Sequence, residues 1–202
     1  MVSMPIVIAT EDELSETVAE RLVQLASPGL GVARKFRRDG FGYLKKSIRT
    51  FRNIAQSQPV LLLTDLDQHE CPPSLMGQWL GTRPKPKDLL FRVAVREVEA
   101  WLLADHDGIA KLVGKRSPHL PPDPDTLPDP KKELIDFAKK APSAVRNEIV
   151  PAPGAAASQG LGYNRVLCPF VRQHWDPFRA PERSESLRRA FNCVSRFSAR
   201  TT

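Results

Sequence analysis

Residues 61 to 72, LLLTDLDQHECP, constrain this chain more than any other stretch. A near-continuous apolar run without polar alternation fits a strand covered on both faces, as in the parallel sheet of an α/β protein. The run ends in two carboxylates at i and i+2, Asp65 and Asp67. Ligands of such folds sit at the carboxyl edge of the sheet. On extended chain, side chains two residues apart point the same way, so both acids can face one cation. Hard oxygen donors of this kind suit magnesium or manganese rather than zinc. The competing reading of Asp-x-Asp is a solvated turn, and the surrounding sequence decides between them.

Around that segment, strand and helix patterns alternate. PIVIA (5–9) is a β-branched strand, and the segment after it carries Leu14, Val18, Leu22 and Leu25 at helical spacing, with Thr10 or Asp12 as its cap. GVARKF reads as a second strand, and YLKKSIRTFRNIA as a helix whose apolar positions Leu44, Ile48, Phe51 and Ala55 share one face. After the Asp-x-Asp strand come a loop with Pro72 and Pro73 and a short helix around Leu75 to Leu80. LLFRVAV (89–95) is a further buried strand that runs into REVEAWLLAD, a helix with Val98, Trp101 and Leu102 on one stripe. This alternation over residues 5 to 113 predicts an α/β fold with a mostly parallel sheet and helices on both faces. Residues 117–130, SPHLPPDPDTLPDP, read as a proline-stiffened connector across the surface. Beyond it the patterns are helical: KKELIDFAKKA, NRVLCPFVRQHW and SESLRRAFNCVSRF, with AAASQGLGY as a flexible loop. The expected organisation is an α/β domain over 1–116, the connector over 117–130, and a helical extension over 131–202 packed on the same core.

A net charge of +7 and a pI near 9.6 bias the chain toward anionic partners such as nucleic acid. Cys71, Cys168 and Cys193 are far apart and match no zinc or disulfide spacing, so they read as thiols in a reducing compartment. No apolar stretch reaches the roughly 18 residues of a membrane helix, and the start carries no signal-peptide pattern. The expectation is a cytoplasmic protein with no membrane partner.

Three acidic clusters follow three strand candidates: Glu11 to Glu13, Asp65 with Asp67, and Glu97 with Glu99. In a parallel sheet these strand ends share one edge, so carboxylates remote in sequence converge. Their repulsion is costly without a cation, which is the physical case for a magnesium or manganese site. On a helix, residues i and i+2 diverge, so Glu97 and Glu99 do not both face such an ion; Glu97, nearest the strand end, is favoured, and Glu99 instead meets backbone or Arg96. Arg96 either neutralises charge on a phosphate or pairs with neighbouring acids. Arg34, Lys35, Arg37, Arg38, Lys45, Lys46, Arg49 and Arg52 form the densest positive region, fit either for a phosphate backbone or for a solvated helix face. RRDGFG reads as a tight turn and a mobile loop over substrate.

ATEDELSE, LLLTDLD and VREVEAWLLAD resemble, in that order, motifs of TOPRIM-like domains, in particular a family related to the RloB and OLD-type nucleases of prokaryotic defence loci. The resemblance covers about residues 5 to 110. It implies a TOPRIM-like fold and metal-dependent phosphodiester hydrolysis, in antiphage defence or DNA repair. It places Glu11 as the first-strand glutamate and Asp65 and Asp67 as metal ligands, with Glu97 and Glu99 as candidates for a further ligand or second metal position. DNA stands ahead of RNA as substrate, and an ATPase partner is implied by the resemblance alone. OLD-type nucleases carry a second acid four residues after the first glutamate; here Ser15 occupies that position, with Glu16 beside it. Two other readings stay open: a non-catalytic module that binds nucleic acid or a partner, and a magnesium-dependent phosphotransferase or phosphatase acting on a small substrate.

Overall fold

The computed structural model describes residues 5–38, 42–114 and 119–198. β1 (Ile6–Thr10), β2 (Val32–Arg37), β3 (Val60–Asp65) and β4 (Leu89–Ala94) form one all-parallel sheet in the order β2-β1-β3-β4. Every residue of β1 is buried. Ile6 and Ile8 enter one core, Val7 and Ala9 the other; Leu61 and Leu63 of β3 oppose Val60 and Leu62 in the same way. The unbroken apolar runs therefore reflect two covered faces. β2 is exposed along nearly its whole length and carries Arg34, Lys35 and Arg37, charges that discourage another strand from pairing with that edge.

The helices are α1 (Glu13–Ala26), α2 (Tyr43–Ile54), α3 (Pro72–Leu80), α4 (Val98–Ala104), α5 (His106–Val113), α6 (Pro130–Ala138), α7 (Ser143–Ile149), α8 (Tyr163–Gln173) and α9 (Glu185–Ser198). Of the two caps expected for α1, Asp12 is the one used: its carboxylate accepts from Ser15 N at 2.8 Å. Leu14, Val18 and Leu22 of its stripe are buried, while Leu25 is only half-buried. Leu44, Ile48 and Phe51 of α2 and Leu75 of α3 pack on one sheet face. The other face carries a larger core built from α1, α4, α5, α6, α8 and α9.

This arrangement fixes where a ligand can bind. The chain leaves β1 for one face through α1 and leaves β3 for the opposite face through α3, while β1 and β3 lie side by side. The carboxyl ends of β1 and β3 therefore mark the point where the strand order reverses, the place where open α/β sheets generally take their ligands.

All of α4 is buried, so the stripe read from its sequence belongs to a wholly enclosed helix. Trp101 donates its indole N–H to Ser186 Oγ at 2.7 Å, and Trp175, also fully buried, donates to the Trp101 carbonyl at 2.9 Å. Asp105, with no exposed surface, accepts from Gly108 N, Asp176 N and the Arg179 guanidinium. These contacts tie the REVEAWLLAD segment to the last third of the chain.

Several expectations change. The short helix expected from Leu75 starts at Pro72, because proline is tolerated in a first helical turn. The proline-rich segment does more than cross the surface: Leu120 and Pro124 are buried, and Asp125 accepts from Ser184 Oγ at 2.7 Å and Ser186 N at 2.8 Å, capping α9. α7, between Ala141 and the small-residue loop, has no strong apolar period and was not expected. Within that loop, Gly160 N and Gly162 N donate to the carbonyls of Ile149 and Glu148, so its end is pinned. Glu148 backbone lies 2.2 Å from where a Gly160 Cβ would stand, which restricts that position to glycine.

Candidate functional site: an acidic crevice with a cationic wall

Glu11 and Asp12 follow β1, Asp65 ends β3 with Asp67 just beyond, and Arg96 and Glu97 follow β4. The parallel sheet thus brings the three acidic clusters to one edge. Thr64 Oγ1 donates to Glu11 Oε1 at 3.0 Å, so the β1 carboxylate rests on the residue next to Asp65. Asp65 Oδ1 accepts from Val98 N at 3.0 Å and orders the start of α4. Asp67 is exposed and takes a left-handed backbone with φ of 50°, a conformation Asp tolerates better than most residues. Its backbone N–H is held by the Arg96 carbonyl.

Glu97 and Glu99 part ways, as their spacing requires. Glu97 Oε2 accepts from Lys131 N at 3.0 Å, at the start of α6. Glu99 is buried; Tyr163 donates its hydroxyl to Glu99 Oε1 at 2.8 Å, and Lys131 Nζ lies 3.6 Å from the same oxygen. Of the partners expected for Glu99, a backbone N–H is present and Arg96 is not, and Tyr163 and Lys131 are added. Arg96 donates from Nη1 to the carbonyls of Asp67 at 3.0 Å and His69 at 2.8 Å, so it clamps the loop that carries Asp67.

Burial raises the pKa of Glu11; the Thr64 hydrogen bond partly offsets this, and Asp67 and Asp12 add to it. Asp65 is pushed well above the carboxylate range by burial, then by Glu99, Asp12, Asp67 and Glu97. Glu97 is raised by burial, with the Lys131 N–H opposing. Burial lifts Glu99 to about 7 against the pull of Lys131. Tyr163 is held well above its ordinary value, first by burial and then by the Glu99 charge. Burial alone would lower Lys131, yet Glu99, Glu97, Asp65 and Asp12 together hold it above its ordinary value. The cluster is carboxylate-rich, with Lys131 as the cation that faces most of it.

The donor chemistry of Glu11, Asp65 and Asp67, all carboxylate oxygens in a crevice short of positive charge, suits a hard divalent ion. Among the described residues, however, no three acidic, histidine or cysteine side chains are gathered closely enough to hold a metal. The missing second acid has a structural counterpart: Ser15 is buried, and Glu16 turns to β2, where it pairs with Lys35 at 3.2 Å and Arg37 at 3.6 Å.

Beside the acids lies a cleft of about 510 Å3 lined by Asp67, Glu97, Asp129 and Asp136 together with Arg96, Lys131, Lys132 and Lys139, and Asp136 pairs with both Lys132 and Lys139. Its lysines come from α6, which sequence reading did not connect with the site. Nor did it find Tyr163, because a contact 64 residues from Glu99 leaves no local pattern. At the other end of the edge, Arg37 is in register with Thr10 and pairs with Glu16. The positive region itself is divided. Lys35 is paired with Glu16 and Glu20, Arg34 and Arg38 lie over the rings of Phe36 and Tyr43, and Arg52 binds the carbonyls of Leu80, Arg83 and Pro84. Lys45, Lys46 and Arg49 are exposed on α2. The mobile loop expected over RRDGFG falls partly on 39–41, outside the described residues.

No protein-family model matches this chain, and the comparisons with curated proteins and with solved structures return no match. No described helix is long and apolar enough to cross a membrane.

Proposed function

We propose that this chain is a metal-dependent nuclease that hydrolyses nucleic-acid phosphodiester bonds at the crevice between β1 and β3. The observation that carries this reading is the order of charge along one sheet edge. Arg37 and Arg38 stand at the end of β2, Glu11, Asp65 and Asp67 at the ends of the two central strands, and Arg96, Lys131, Lys132 and Lys139 around the cleft beyond. A polyanion laid across this edge meets cations on both sides of an acidic centre.

Glu11, Asp65 and Asp67 would hold magnesium or manganese, and the ion would there supply a polarised phosphoryl oxygen and a bound water of lowered pKa. The protein's own groups do the rest. Lys131, Lys132 and Lys139 line the cleft a phosphate backbone would enter, where it would compete with Asp136 for the last two, and Arg96 fixes the loop from which Asp67 projects. Lys131 also favours the charged forms of Glu97 and Glu99, opposing the burial that raises both and partly balancing their charge within the cluster.

The second reading is a module that binds nucleic acid without cleaving it, with the acids kept for structure. The absence of a gathered three-ligand group among the described residues favours it. A nuclease assay on plasmid DNA and on RNA with magnesium or manganese, wild type beside Asp65→Asn and Glu11→Gln, separates the two. The nuclease reading predicts metal-dependent cleavage that both substitutions abolish; binding without cleavage in the wild type establishes the module.

A further inference from the structure

At the opposite end of the sheet from the acidic crevice, a second cleft of about 370 Å3 opens between the first half of β4 and the last turns of α9. Its charged wall is all cationic: Lys87, Arg92, Arg189 and Arg196. No carboxylate lines it. Asn192 supplies an amide, and Leu90 and Phe197 form an apolar side.

Two further observations point to a missing anion. Arg92 Nε is buried and has no hydrogen-bond partner among the described residues. A buried guanidinium N–H left unpaired is costly, and its usual remedy is a negatively charged acceptor. Nearby, burial and then the Arg92 charge pull Lys85 below its ordinary pKa, with Cys193 and Asp88 opposing. Arg189 is steadied by Glu185 Oε1 at 2.7 Å from Nε, from a position outside the cleft lining.

We infer that this cleft is a second binding site, for a phosphate-bearing ligand of nucleotide size, formed by Lys87, Arg92, Arg189, Asn192 and Arg196. Several cations converging on one cleft suit a multiply charged phosphate better than a single carboxylate. The volume exceeds what one phosphate fills, and the Leu90 and Phe197 side gives a sugar or base an apolar surface. Leu90 lies near the start of β4 and Glu97 beyond its end, and the two clefts share no lining residue, so this cleft is separate from the acidic crevice. The inference does not depend on the nuclease reading.

The test is calorimetric titration in chelator-containing, metal-free buffer with inorganic pyrophosphate, a nucleoside triphosphate and a duplex oligonucleotide. Lys87 and Arg196 are exposed, so Lys87→Glu/Arg196→Glu leaves the core intact. The double substitution is expected to weaken pyrophosphate binding at least tenfold, and Asp65→Asn to leave it unchanged. Tighter binding of the nucleoside triphosphate than of the duplex assigns the site to free nucleotides; the reverse assigns it to the nucleic-acid backbone. Absence of pyrophosphate binding at millimolar concentration, or equal binding by the double variant, overturns the inference. Chain folding of each variant is checked by circular dichroism, and Lys87→Gln/Arg196→Gln, which adds no negative charge, is expected to weaken binding in the same direction.

Discussion

Replacing Glu99 by glutamine tests whether the acidic crevice holds its charge at the expense of stability. Glu99 is enclosed, accepts from Tyr163 and has its pKa raised from an ordinary 4.5 to about 7. A raised acid binds its proton more tightly in the folded state than in the unfolded one. Its stabilising contribution is therefore complete below about pH 4.5 and is lost as pH rises through 7. The rise corresponds to about 3 kcal/mol in all, most of which falls between pH 5 and pH 8. Glutamine retains an acceptor for the Tyr163 hydroxyl and does not titrate. Urea denaturation of both proteins at pH 5 and pH 8 is the assay. Wild type is expected to lose about 2 to 3 kcal/mol more than Glu99→Gln over that interval. Loss of the Lys131 contact lowers the variant at both pH values and leaves this difference in slope. Parallel stability curves for the two proteins would refute the claim that burial keeps Glu99 protonated.

Asp65→Asn keeps the acceptor for Val98 N and removes a carboxylate that burial and four acids disfavour, so its melting temperature is expected to rise while metal-dependent cleavage disappears; a fall in melting temperature contradicts the account. Asp105→Ala strips partners from Gly108 N, Asp176 N and Arg179 at a site with no exposure, and is expected to cost about 3 to 5 kcal/mol in denaturant unfolding, against under 1 kcal/mol for exposed Asp107→Ala.

The sheet was legible because two covered faces write themselves as unbroken apolar runs. β3 was the clearest case, but it ends at Asp65, and the left-handed backbone of Asp67 departs from the extended geometry that was expected to align the two acids. Parallel pairing puts Glu11 and Asp65 at the same sheet edge, but Glu11 meets the Thr64 hydroxyl, whose side chain alternates with that of Asp65, and no three-ligand group is gathered among the described residues. The separate fates of Glu97 and Glu99 were readable from helical geometry, but their partners were not. Lys131 and Tyr163 arrive from α6 and α8, and nothing in a local window links them to residues 32 and 64 positions away. The connector misled for a similar reason: proline content reports a broken backbone but not whether that backbone is buried. Asp125 looks like a solvated loop residue until α9 is seen to begin on it. The basic region was read as one surface, whereas Glu16, Glu20 and the carbonyls after α3 already occupy part of it.

The claim on which the functional reading rests is that Glu11, Asp65 and Asp67 take up a divalent ion together. Calorimetric titration of manganese into wild type, Glu11→Gln and Asp65→Asn at pH 7.5 measures this directly. Saturable binding in the wild type that both substitutions remove is the predicted result. Manganese affinity that is the same in all three proteins, or no binding to the wild type, contradicts it.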